Sequence, residues 1–146
     1  MINGKGQRAG SEYHTDYFNI NENNSTVSVG LKNVYENKDE IIEYTRTLAM
    51  QDSIIITDRI SLLSPGCATF NFYTPCTPSI ISGSSVTLGN GVIMNYSDNL
   101  TVKINKIELT DNNLQHDWKT DNIYQICFSI DTNSTLIDVK FEILKM

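Results

Sequence analysis

Apolar residues along this chain recur at every second position far more than at every third or fourth. Val27, Val29 and Leu31 alternate with Thr26, Ser28 and Gly30, and Ile42, Tyr44, Leu48 and Met50 share one side of the stretch 42–50, the spacing of strands half-buried against a core. Residues 53–60 form a more continuous β-branched run, Ser-Ile-Ile-Ile-Thr-Asp-Arg-Ile, which predicts a strand buried on both faces. Further strands are predicted over 68–73, 79–81, 85–88, 92–96, 100–109, 123–130 and 136–144. Between them lie turn-forming groups: Ser64-Pro65-Gly66, Gly89-Asn90-Gly91, Ser97-Asp98-Asn99 and Asp131-Thr132-Asn133. About ten short strands at this spacing predict an all-β fold, an antiparallel β-sandwich. The only helical competitor is the stretch 38–43, whose acidic residues suit a first helical turn, but the alternation after Glu43 outweighs it. Residues 110–121 read as a polar loop.

The length of 146 residues predicts a single domain, residues 1–146, large enough to bury a core without staples. The net charge of −6 comes without any basic run, which argues against nucleic acid as a partner because phosphate neutralisation needs clustered Lys and Arg. No stretch approaches the roughly 20 apolar residues of a spanning helix, so no membrane insertion is expected. Cys67, Cys76 and Cys127 lack metal-ligand spacing and predict buried free thiols on strands. No cofactor is implied. The opening Met-Ile-Asn-Gly-Lys-Gly-Gln has the glycines and lysine of a phosphate loop but neither the preceding strand nor the following helix that such a loop requires. It predicts a surface turn on Asn3-Gly4, a pair suited to positive φ.

Few residues suggest chemistry. His14 and Asp16 are two apart, so on a strand they would share a face as weak metal-ligand candidates, but the third ligand is missing. Trp118, the only tryptophan, stands beside His116 and Lys119 in the polar stretch, where it could stack on a sugar or cap one end of the sandwich. Tyr13 and Tyr17 would extend such a groove if the fold brought them near. Asp58-Arg59 predicts a partly buried structural ion pair. The serines in turns lack a nearby histidine or an elbow motif, and nothing selects a catalytic carboxylate pair.

Three stretches in order carry a family resemblance. Ile2-Asn3-Gly4-Lys5-Gly6-Gln7 is similar to a turn of the kind Asn-Gly-x-x-Gln. Tyr44-Thr45-Arg46-Thr47-Leu48 followed by the 53–60 run is similar to an arginine-bearing strand paired with an apolar strand that closes on an Asp. Thr69-Phe70-Asn71-Phe72-Tyr73 would be the next strand. Together they resemble the C-terminal β-sandwich portion of the heparinase II/III-like polysaccharide lyases, in which a His-Asn-Thr segment runs into that turn.

The resemblance implies that the chain is the C-terminal part of a longer bacterial, extracytoplasmic lyase that cleaves uronate-containing polysaccharide by β-elimination. Its partner would be the upstream catalytic domain of the same parent. In that family the catalytic Asn, Tyr and His come largely from an upstream helical toroid, so no catalytic residue carries over to this chain. The alternative is a free-standing carbohydrate-binding or cell-surface interaction module. The first reading expects an exposed apolar surface or open sheet edge; the second expects closed edges and an aromatic groove around Trp118. An independent enzyme would need a pocket assembled from distant strands.

Overall fold

A computed structural model describes residues 1–145, apart from the side chain of Ser82. Its strands are β1 (Phe18–Asn21), β2 (Thr26–Gly30), β3 (Ile41–Met50), β4 (Ile54–Leu62), β5 (Cys67–Thr74), β6 (Ser79–Ser82), β7 (Ser85–Gly89), β8 (Val92–Tyr96), β9 (Thr101–Glu108), β10 (Asn122–Asp131) and β11 (Leu136–Lys145). One short helix, α1 (Asn112–Trp118), joins β9 to β10. All pairings are antiparallel and form two sheets of unequal width: an eight-stranded sheet in the order β1-β2-β3-β4-β11-β8-β7-β6, and a three-stranded sheet in the order β5-β10-β9. The fold is an all-β sandwich, as the alternation predicts, with β1 as a strand the pattern did not show.

The period of two positions the core. In β11, buried Ile137, Val139 and Phe141 alternate with exposed Leu136, Asp138 and Lys140, and in β10 buried Ile126, Phe128 and Ile130 alternate with half-buried Cys127 and Ser129. Between the sheets the aromatic rings interlock. The Tyr96 and Phe128 centroids are 4.8 Å apart, Phe72 and Phe141 4.9 Å, and Phe128 and Phe141 5.1 Å. Phe128 and Phe141 are fully buried, each worth roughly 1.5–3 kcal/mol in transfer from water.

Several sequence expectations are corrected. A bulge between Ile41 and Glu43 shifts the register of β3, so Ile41 and Tyr44 both face the core while Ile42 is exposed. The β4 strand is not buried on both faces: Ile56, Asp58, Ile60 and Leu62 point inward and Ile55, Thr57 and Arg59 outward, because its polar residues fit an ordinary half-buried strand. Asp58 and Arg59 therefore do not pair, since neighbours on a strand face opposite sides. The stretch 38–43 is divided, with a 3-10 turn over Lys38–Glu40 and strand from Ile41. Residues 112–118 are helical because Asp111 caps them, its carboxylate accepting from the N–H groups of Asn113 (2.8 Å) and Leu114 (3.0 Å). All three cysteines are free, but they are half-buried and not buried, and Cys76 lies in the β5–β6 connection and not on a strand.

The opening segment is a turn, with φ of 48° at Asn3 and 74° at Gly4. Ile2 is buried in the core and bridges to Ala68 of β5, and Asn3 exchanges hydrogen bonds with Cys67 through its backbone N–H and its side-chain oxygen. Gln7 then bridges to Tyr35, which brings it to the rim of the gap between the sheets.

Candidate functional site

The most chemically structured place is a cleft of about 280 Å³ between β3 and the edge of β5, lined by Gln7, Tyr35, Tyr44, Arg46, Asn71 and Tyr73 among others. Tyr44 and Arg46 are two apart on β3 and share its inner face, and the register sets Arg46 directly opposite Asp58 on β4. The Arg46 guanidinium donates from Nε to Asp58 Oδ1 at 2.8 Å and from Nη2 to Oδ2 at 2.9 Å, a two-pronged pairing of planar groups. The Tyr44 hydroxyl donates to Asp58 Oδ1 at 2.9 Å. Asp58 is 0% exposed, whereas the Arg46 side chain keeps 33% of its surface in solvent at the cleft.

This arrangement holds charges in place. Burial, reinforced by the Asp58 carboxylate, raises the Tyr44 pKa far above the ordinary phenol value, so the hydroxyl stays a proton donor. Partial burial is the largest single influence and works against the Arg46 charge, but the hydrogen bond to Asp58 and the electrostatic pull of Tyr44, Asp58 and Tyr35 together outweigh it and raise the Arg46 pKa. Burial also raises the Tyr35 pKa, and its ring lies 5.7 Å from that of Tyr44. With its carboxylate accepting three bonds and its phenols held neutral, the cleft offers hydrogen-bond donors fixed in place.

The residues singled out from the sequence lie elsewhere. Tyr13, His14 and Asp16 sit in an irregular segment before β1, not on a strand, and Asp16 accepts from the Asn33 N–H at 3.1 Å. The irregular backbone removes the shared-face argument for His14 and Asp16. Among the described residues, no three His, Cys, Asp or Glu side chains converge as metal ligands would. Tyr17 lies over Gly30, where a Cβ would come within 2.7 Å of its ring, and donates to Thr45 Oγ1 at 3.0 Å. Trp118 is half-buried as the last residue of α1, with exposed His116 and Lys119 beside it and Lys119 closing the helix at φ 54°. Tyr17 packs on the larger sheet, whereas α1 joins strands of the smaller one.

Sequence reasoning had no reason to join Gln7, Tyr35, Tyr44, Arg46 and Asp58 into one site. Two signals pointed to its core: an acid inside an apolar strand, which needs a cation, and the resemblance to an arginine-bearing strand paired with a strand that closes on an Asp; the register of β3 against β4 brings the two together.

No protein-family model and no curated protein matches the chain. Solved structures do. One is the heparinase III BT4657 gene product, with TM-score 0.63, 10% identity, and coverage of 91% of this chain and 21% of that one. Another is the heparan sulfate lyase HepC from Pedobacter heparinus, with TM-score 0.57, 11% identity, and coverage of 91% and 22%. This chain thus spans about a fifth of the length of either structure. Its two-sheet sandwich has the fold of one part of these two lyases.

Proposed function

We propose that this chain is a non-catalytic β-sandwich part of a heparinase II/III-like lyase, buttressing the part of the parent that carries out β-elimination on a uronate-containing polysaccharide. The observation that carries the reading is the mismatch between the two sheets. The register places Phe18, Ile20, Val27, Val29, Leu48, Met50 and Ile54 on the same face of the large sheet as the core residues Phe141 and Tyr96. The three-stranded sheet is too narrow to cover them all, and Phe18 (63%), Ile20 (57%) and Met50 (56%) are exposed. An uncovered extension of a core face is a surface for a large apolar partner. The occupant favoured is the rest of a lyase, because about four-fifths of each of the two matching structures lies beyond the part this chain resembles.

The test uses the chain itself. Alone, it is expected to release no unsaturated uronate product from polysaccharide and to self-associate in sedimentation. Ile20→Lys with Met50→Lys should abolish the association while changing stability by no more than about 0.5 kcal/mol, since both side chains are already exposed. Product release by the isolated chain, or a monomer that binds no hydrophobic dye, would overturn the reading.

A further inference from the structure

The outward face of the three-stranded sheet is not an ordinary solvated strand surface. Tyr73, Gln125 and Asn105 stand directly opposite one another across β5, β10 and β9, followed by Asn71, Cys127 and Lys103, then by Thr69, Ser129 and Thr101. With strands about 4.8 Å apart and same-face rows about 6.8 Å apart, these three rows form a shelf of roughly 10 by 14 Å. Gln125 in the centre donates from Nε2 to Tyr73 Oη at 3.1 Å and to Asn71 Oδ1 at 3.3 Å, and accepts from Asn105 Nδ2 at 3.2 Å. Thr69 and Ser129 share a hydroxyl hydrogen bond of 3.3 Å. The lateral bonds fix the amides in orientation before any ligand arrives, which lowers the ordering cost of binding.

Charge sets the shelf apart from the rest of the molecule. Its nine positions include a lysine and no carboxylate, in a chain of net charge −6. The outward face of the large sheet mixes Glu43, Arg59, Asp138, Lys140 and Glu142. The first acid in the central column, Asp131, lies one row beyond Ser129. Lys103 is exposed at one side of the shelf. At the other, Asn71 and Tyr73 also line the cleft that holds Arg46. Among the described residues, the Asn71 Nδ2, Tyr73 hydroxyl and Lys103 ammonium hydrogens meet no protein acceptor. Tyr73 is 48% exposed and offers a ring face at the edge.

We propose that this face, centred on Gln125 with Asn71, Tyr73, Asn105 and Lys103, binds an acidic oligosaccharide. Oriented amides and hydroxyls match sugar hydroxyls, Tyr73 stacks on the C–H face of a ring, and Lys103 meets an acidic substituent. The proposal stands on the shelf's own chemistry and goes beyond the supporting role above, which would survive its failure.

Titration of the 146-residue chain with a hyaluronan hexasaccharide, followed by the side-chain amide resonances of Asn71, Asn105 and Gln125, tests it. Those resonances should move together and saturate, and cellohexaose should bind more weakly. Gln125→Leu, which keeps the side-chain volume, should weaken binding about tenfold, the equivalent of one lost hydrogen-bonding group. Lys103→Gln should weaken binding and flatten its salt dependence, while Arg59→Gln on the opposite sheet should not. No saturable shift, shifts confined to other residues, stronger binding of cellohexaose, or equal losses from Lys103→Gln and Arg59→Gln would each overturn it.

Discussion

Asp58 is a fully buried carboxylate whose charge is balanced by a guanidinium across one strand pair. Such pairs contribute little net stability over an apolar replacement, but removing one partner leaves the other uncompensated. Arg46→Met should therefore destabilise by about 3–5 kcal/mol, and adding Asp58→Leu should recover most of that loss; urea unfolding of the four members of the cycle measures the coupling. A second charge acts at the surface. Glu40 accepts from Asn3 Nδ2 at 2.9 Å and from Asn37 Nδ2 at 3.0 Å, and these bonds lower its pKa from the ordinary 4.5. A lowered acid pKa contributes stability that is fully present above 4.5 and is lost as pH falls through the folded value. Between pH 4.5 and the folded value, melting temperature should fall more steeply in the native chain than in Glu40→Gln. The need for a cation near Asp58 was readable from the sequence, and the resemblance indicated an arginine-bearing partner strand, but the register that sets Arg46 opposite Asp58 was not. Adjacent Arg59 looked available, yet its side chain points to the opposite face.

At the scale of elements, alternation located the strands but could not locate the bulge in β3. An extra residue there brings Ile41 and Tyr44 to the same face, and only pairing with β4 reveals it. The helix α1 escaped notice because seven residues without an apolar stripe give no helical period. Its order comes from the Asp111 cap and from Gln115 Nε2, which donates to the Leu109 carbonyl at 2.6 Å. Asp111→Ala should cost the helix about 1 kcal/mol. Trp118, the only tryptophan, would report this as a red-shifted emission, while the midpoint of global unfolding moves little.

At the scale of the whole molecule, the two sheets depend on one aromatic core. A three-stranded sheet holds together by burying its apolar face, and the smaller sheet does so through Phe70, Phe72 and Phe128 against Phe141 and Tyr96. Phe128→Ala should cost about 3–5 kcal/mol, a large share of the roughly 5–15 kcal/mol typical of a domain. Far-ultraviolet dichroism and Trp118 emission should still report one coincident transition if the sheets unfold together.

The sequence by itself determined the all-β class, the position of most strands, the Asn3-Gly4 turn and the breaks between strands, because side-chain alternation and turn preference act over a few neighbouring residues. It also held the motifs that resemble the lyase sandwich. The tertiary structure alone decided that eight strands face three, that part of the large apolar face is left uncovered, that Arg46 meets Asp58, and that amides from three distant strands align on one shelf. Those outcomes depend on which strands pair and in what register, and pairing is settled by contacts between segments far apart in the chain.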